Sequence, residues 1–366
     1  MKRILVVGQT PPPYGGQAMM IQYMLDGKYE NMKLYHVRMC FSRGLEERGK
    51  FSVRKILHIF IVILNIWKYR ICNHIDIMYY PLSSAPKVAL LRDVIILGCT
   101  RFFFRQTIYH FHAAGVSEEL PKYPSLLRKL CYFIIQKPDL GITSSKFNPN
   151  DADYLKAKKS VVIPLGIPDE NVKKIRQCIG ERRNLNILFM GLLNSTKGEG
   201  YILDAVHILD MQEIKMELYL AGEFESDEYK KEFFEKVKQY GLENRVHYAG
   251  VVKGKNKRDL FLNCDIFCFP SFFSSESFGI VLLESMMYQM PLIASKWRGV
   301  QSVVSDGENG FLVEIKNAKQ IADKLSVLDC NRKLLKEMAA NGRKKFESEY
   351  SLNVYLECME KALVSL

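Results

Sequence analysis

The sequence predicts an α/β protein built as two successive halves, each on its own parallel sheet. Three observations carry this. Residues 2–8 (KRILVVG) are an apolar run that ends in glycine and leads through a breaker-rich loop into a helix-like segment, the opening of a doubly wound unit. Residues 185–191 (LNILFMG) start the same pattern afresh in mid-chain. The length of 366 residues, 48% apolar and 25% charged, suits two ordinary soluble cores.

Taken in order, residues 9–17 (QTPPPYGGQ) read as a loop, because Pro and Gly punctuate regular structure, and Ala18 to Leu25 read as its helix. Residues 53–71 (VRKILHIFIVILNIWKYRI) are helix-like, with basic residues at both ends. The uninterrupted apolar core, Ile59 to Leu64, falls far short of the about 20 residues a bilayer span needs. Two readings stay open: a helix lying in a membrane interface, with Trp67 and its flanking cations, or a buried core helix. Arg101-Phe-Phe-Phe-Arg105 repeats the basic-aromatic theme, or is a helix end before the next strand. Strands follow at 75–80, 106–111, 139–143 and 160–164, with an amphipathic helix at 126–136.

Residues 164–177 (PLGIPDENVKKIRQ) are turn-rich and polar, which marks a linker. The expected division is a first domain over 1–165, a linker over 166–184 and a second domain over 185–350. In the second half, strands at 185–191, 215–221, 245–249 and 265–269 alternate with helices at 199–211 and 227–240. Residues 280–288 are a further helix-like run, and 351–366 a final helix.

Charge divides unevenly. Residues 1–180 hold 27 Lys and Arg against 13 Asp and Glu, so the net +12 of the chain belongs to its first half. A one-sided basic surface implies anionic partners. No helix-turn-helix, zinc-finger or aromatic RNA-binding pattern accompanies it, so an anionic membrane surface is expected and nucleic acid is not. The apolar run at the amino terminus breaks after five residues, too short for a signal-peptide core. Nine cysteines without a C-x-x-C pair fit reduced thiols, with Cys264 and Cys268 expected as buried strand residues. These features predict a cytoplasmic chain, peripheral at the cytoplasmic face of the membrane.

The stretch most charged with chemistry is FPSFFSSESFGIVLLE (269–284). Glu276 and Glu284 stand eight residues apart around a Ser-Phe-Gly step, between a strand and a helix. Such a join is where parallel α/β proteins place ligands, and the first helical turn offers N–H groups to an anion such as a diphosphate. Glu276 is expected in the loop and Glu284 about a turn and a half inside the helix. In FMGLLNSTKGEGYILDA (189–205), Lys197 sits on another strand-to-helix loop, where it can act as a point charge. In IYHFHAAG (108–115), His110 and His112 share one face of a strand. Asp151-Ala-Asp153 follows Asn148-Pro149-Asn150 and reads as a helix start, so no metal is implied.

Together these residues resemble the E-x7-E signature of retaining glycosyltransferases of family 4, and the likeness extends over nearly the whole chain. The resemblance implies the GT-B fold, two Rossmann-like domains facing each other across a cleft, with the final helix packing back on the first. It implies transfer of a hexose or N-acetylhexosamine from a nucleotide-diphosphate sugar to a cell-surface glycan or glycolipid acceptor, without a metal or other cofactor. On this basis Glu284 accepts from the nucleotide ribose, and Glu276 faces the sugar hydroxyls. The backbone of Ser277, Phe278, Gly279 and Ile280 lines the sugar and phosphate path. Gly15 and Gly16 match the family's amino-terminal glycine loop, Lys197 faces the diphosphate, and His112 hydrogen-bonds the transferring sugar while His110 is structural. The family usually carries an arginine where this chain has Leu192, with Arg298 as a substitute cation. An epimerase or phosphorylase on the same fold, or a non-catalytic membrane- or glycan-binding relative, are the competing expectations.

Overall fold

The computed structural model describes residues 1–41, 53–84, 87–171 and 184–366. It divides into two compact units, Met1–Gly166 with Leu352–Leu366, and Ile167–Ser351. Most of the linker expected at 166–184 lies outside the described residues.

The first unit runs β1 (Lys2–Gly8), α1 (Gly16–Asp26), β2 (Met32–Arg38), α2 (Val53–Cys72), β3 (Ile77–Tyr80) and α3 (Lys87–Thr100). It continues through β4 (Gln106–Phe111), α4 (Val116–Glu119), α5 (Ser125–Ile135), β5 (Leu140–Thr143), α6 (Asp151–Tyr154) and β6 (Lys159–Val162). All six strands are parallel, in the order β2-β1-β3-β4-β5-β6. Ile4 to Val7 are wholly buried, as a strand covered on both faces requires. On one face, Leu5, Tyr80 and Phe111 pack beneath α2, α3 and α5 through residues such as Ile66, Leu97 and Ile135. Alternation puts Tyr79 and His110 on the other face. The carboxy-terminal helix Leu352–Val364 joins this unit: Glu360 Oε1 accepts the N–H groups of Glu30 and Asn31, and Tyr355, Met359 and Leu363 are buried.

The second unit runs β7 (Leu185–Met190), α7 (Glu199–Asp210), β8 (Met216–Ala221), α8 (Asp227–Gln239), β9 (Val246–Tyr248), α9 (Gly254–Asn263) and β10 (Ile266–Phe269). Then come α10 (Ile280–Met287), β11 (Leu292–Ser295), α11 (Val300–Val303), β12 (Gly310–Val313), α12 (Ala318–Cys330) and α13 (Arg332–Lys345). Its parallel sheet has the order β12-β11-β10-β7-β8-β9. Read from the other edge, this is the 3-2-1-4-5-6 order of a dinucleotide-binding sheet. Chain direction across the sheet reverses between β7 and β10, so the crevice at their carboxyl ends is where the topology leaves room for a ligand. The loops that leave those two strands carry Lys197 and Glu276.

Several elements lacked a sequence signal. β2 is an edge strand carrying Lys33, His36 and Arg38, too polar to stand out as a strand. β11 and β12 are four residues each, α3 is apolar around most of its circumference, and α9 and α13 are dominated by charge. Cys264, expected in a strand, instead closes α9 as its C-cap, while Cys268 lies in β10; both are buried and neither forms a disulfide. In the helix over 53–71, Val62, Ile63 and Ile66 face the core, and the opposite side is apolar and exposed.

Candidate active site

The loop after β7 is shaped by Asn194. Its Oδ1 accepts the N–H and O–H of Thr196, at 3.0 and 2.9 Å, and the N–H of Lys197 at 3.1 Å. An Asx turn of this kind fixes a short loop without regular structure. Gly198 then enters α7 with φ +90°, and a Cβ there would lie 2.5 Å from the Pro270 carbonyl oxygen. Only glycine lets the two loops approach so closely. Phe272 N–H donates to Thr196 O at 2.8 Å across that approach.

The loop after β10 is held from three further sides. Ser295 Oγ–H donates to Ser271 O, Trp297 Nε1–H donates to Phe273 O at 2.9 Å, and Glu276 N–H closes a turn on Phe273 O at 3.0 Å. At its end Gly279, φ +86°, is the N-cap of α10, a conformation L side chains rarely adopt. The helix thus starts at Ile280. Ser277 and Phe278 are buried just before it, and the Phe278 ring lies edge-on to Tyr350 at 5.8 Å. What Phe278 leaves to a ligand is its backbone.

These two loops bring Lys197 and Glu276 together. Lys197 Nζ lies 2.5 Å from Glu276 Oε2, with side chains 15% and 12% exposed, and Ser271 Oγ–H donates to the same oxygen at 3.3 Å. The ammonium also stands over the Phe273 ring at 4.6 Å, a cation–π position. A cation and an anion are therefore presented side by side on rigid loops at the switch point. Arg298, proposed from sequence as a substitute cation, follows β11 with its guanidinium over the Trp297 ring at 5.4 Å.

Glu284 lies inside α10, as its spacing required. It is paired with a residue the sequence did not single out: Lys257 of α9, Nζ to Oε1 2.6 Å. Burial pushes the Glu284 carboxyl up, and Lys257 opposes that. No local pattern could have linked residues 27 positions apart. Glu199, the first residue of α7, was also missed. An acid at a helix start is expected to be solvated, yet Glu199 is wholly buried, accepts the Tyr229 hydroxyl at 2.6 Å and, among the described residues, has no hydrogen-bond partner for Oε2. Burial pushes its carboxyl up to about 7, against the Tyr229 hydrogen bond.

In the first unit the two histidine rings stack at 3.8 Å, and the buried Tyr79 hydroxyl bonds His110 Nδ1 at 2.6 Å and His112 Nε2 at 3.3 Å. Burial holds both imidazoles below their ordinary range, His112 at about 3, so both are neutral near pH 7. Neutral rings serve as hydrogen-bonding groups here, not as proton reservoirs. Gly15 is the N-cap of α1, and a Cβ on it would meet nothing within 4 Å. The fold itself does not demand glycine there. Asp151 starts α6 and is tied down: Gly115 N–H, Ser117 N–H and Ser117 Oγ–H all donate to its carboxylate within 2.8 Å.

Residues 171–345 match the model of the family described as glycosyl transferases group 1. Among curated proteins, an uncharacterized 41.2 kDa protein in the cps region of Klebsiella pneumoniae is 26% identical over 87% of both chains. O-antigen chain mannosyltransferase C of Escherichia coli is 27% identical, over 53% of this chain and 51% of its own. The crystal structure of Anabaena HepE in complex with UDP superposes over the full length of both chains at TM-score 0.73 and 20% identity, which makes the fold GT-B.

Proposed function

We propose that this chain, whose residues 171–345 match the model described as glycosyl transferases group 1, moves a hexose or N-acetylhexosamine from a nucleoside-diphosphate sugar to a cell-surface glycan or lipid-linked acceptor, with retention at the anomeric carbon. The observation that carries the reading is the Lys197–Glu276 pair on the two switch-point loops. Relatives whose names concern O-antigen mannosyl transfer and the cps region support the acceptor class, and HepE, solved with UDP, supports a nucleotide-sugar donor.

In this reading the C1–O bond to the diphosphate breaks, the acceptor oxygen bonds to C1, and the acceptor proton leaves with the nucleoside diphosphate. Negative charge grows on the departing diphosphate. Lys197 and the first turn of α10 counter it, a preorganised electrostatic effect. Glu276 takes hydrogen bonds from the sugar hydroxyls, and Glu284 takes them from the ribose, so that Lys257 shares its carboxylate with the ligand. Ser277, Phe278, Gly279 and Ile280 offer backbone groups along the phosphate path. In the first unit, which this reading makes the acceptor-binding one, Gly15 and Gly16 give backbone access, and His112 donates or accepts a hydrogen bond at the transferring sugar. No metal enters, so transfer is expected to survive EDTA. In this reading the enzyme works peripherally at the cytoplasmic face of a membrane, and the excess of Lys and Arg in the first half of the chain supports it.

The test is thermal unfolding against a panel of nucleoside diphosphates and their sugars, followed by radiolabelled transfer with the donor that binds. A ligand at 100 times its Kd adds about 2.7 kcal/mol to stability. Stabilisation by none of the panel would overturn the reading. Stabilisation without transfer would leave the chain as a binding relative, in line with Leu192 standing where the family has its arginine.

A further inference from the structure

The outer side of α2 is unusual for a helix on a soluble core. Leu57, Phe60, Ile61, Leu64 and Ile71 are each more than half exposed, on the face opposite the buried Val62, Ile63 and Ile66. A helix apolar on both sides has a second apolar environment to satisfy. The face does not stop at α2. Ile95 on α3 and Phe102 and Phe103 in the turn that follows are 52%, 64% and 58% exposed. Leu126, Leu130 and Phe133, at spacings that share one side of α5, are 82%, 55% and 62% exposed. The three helices lie side by side, α2 against α3 and α3 against α5, on one face of the first sheet. Trp67 stitches the seam, its ring edge-on to Phe103 at 5.9 Å and its Nε1–H on Cys99 O. Exposed apolar side chains gathered on three neighbouring helices mark an interaction site.

Charge decides the occupant. α2, the Arg101–Phe103 turn and α5 contain no Asp or Glu, and the single acid of α3, Asp93, is buried against Arg92. Lys68 lies on the exposed side of α2, and Arg128 and Lys129, with Tyr132, Phe133, Gln136 and Tyr154, line a groove of about 300 Å³ on α5. A two-fold contact with a second copy would set this cationic face against itself. An anionic surface with an apolar interior complements it. No helix among the described residues is long and apolar enough to cross a bilayer, so the contact is one of lying on the surface.

We propose that the exposed face of α2, α3 and α5 is a docking surface for an anionic phospholipid bilayer, with the apolar side chains entering the acyl boundary and the Arg128–Lys129 groove meeting headgroup phosphates. This rests on the reading of the first unit as membrane-facing, and goes beyond it by assigning the surface and making attachment hydrophobic as well as electrostatic. Attraction between exposed charges fades at high salt, whereas apolar insertion does not.

The experiment is co-sedimentation of the full chain with vesicles of phosphatidylcholine and phosphatidylglycerol, at 0.1 and 1 M NaCl. Two variant sets are compared with the parent: Phe60→Ser with Leu64→Ser and Ile71→Ser, and Leu126→Ser with Leu130→Ser and Phe133→Ser. All six positions are exposed, so thermal unfolding is expected to stay near that of the parent. The parent should retain a salt-resistant bound fraction, and each set should weaken partition at least tenfold at both salt levels. Parent binding that vanishes at 1 M NaCl and is untouched by the substitutions would overturn the docking surface while leaving a purely electrostatic membrane attachment standing. No vesicle binding at all would overturn both, and a dimer that the substitutions split would assign the face to a second copy instead.

Discussion

Lys197 and Glu276, 79 positions apart in sequence, meet at 2.5 Å because β7 and β10 are neighbours at the reversal of the second sheet. Each residue is the other's counter-charge in a mostly enclosed place. Lys197→Ala is expected to lower kcat by about 10²–10³, the usual loss when one electrostatic donor to a departing anion is removed. Glu276→Ala should lower it comparably through the sugar hydroxyls. Because the two side chains share one interaction, the double variant should fall short of the sum of the single losses by about 1–3 kcal/mol. Steady-state transfer rates for the four chains measure this. Simple additivity would show that the pair does not act as a unit.

How much of this was legible beforehand depends on whether the cause was local. The glycine-ended strands at 2–8 and 185–191, and the strand–loop–helix around Glu276, are local, and the structure places them within a few residues of their expected bounds. β2, at a sheet edge, and the four-residue β11 and β12 owe their existence to register with β1, β10 and β11 respectively, which no short window contains. The same holds for the site. Lys197 and Glu276 announced themselves by position on strand-to-helix loops. Lys257 reaches Glu284, and Tyr79 reaches the histidines, only through packing. Burial of Glu199 is likewise a tertiary property with no sequence mark.

Lys257 is predicted to matter most at alkaline pH. Without it, the Glu284 carboxyl keeps its burial and loses its counter-charge, so its pKa in the folded chain rises further above that of the unfolded chain. An acid raised in this way costs stability above its folded pKa and regains it as the proton binds on acidification. Lys257→Ala should therefore cost about 3 kcal/mol near pH 8, with a smaller loss near pH 5. Denaturant midpoints of the variant and parent at both pH values check it. An equal loss at both would mean that the pair is held by packing alone.

The histidine pair sets an acid limit. His110 and His112 are neutral in the folded chain down to acidic pH, His112 to about 3, whereas in the unfolded chain both protonate near 6.5. Between those values the unfolded state binds more protons, so stability falls as pH drops below about 6.5, by up to about 1.4 kcal/mol per pH unit for each ring. His110→Phe removes one titration and also one partner of the Tyr79 hydroxyl. The variant is expected to start less stable at pH 7.5 and to lose less between pH 6.5 and 4.5 than the parent. Thermal unfolding across that range reads the slope directly. Parallel pH profiles would show that His110 is charged in the fold.

Glu199 should behave in the opposite sense. Its carboxyl titrates at about 7 in the folded chain against 4.5 ordinarily, so the folded state holds the extra proton between those values. Stability from this group is fully present below about 4.5, declines as pH rises towards 7, and stays low above it. Glu199→Gln keeps an Oε1 acceptor for the Tyr229 hydroxyl and removes the charge. It is expected to raise stability by roughly 2–3 kcal/mol at pH 8.5, on the scale of 1.36 kcal/mol per pKa unit, and to change little at pH 5. The measurement is the difference in unfolding midpoint between variant and parent at the two pH values. A variant less stable than the parent at pH 8.5 would show that the buried carboxylate is charged and satisfied by a group close to the Lys197 loop.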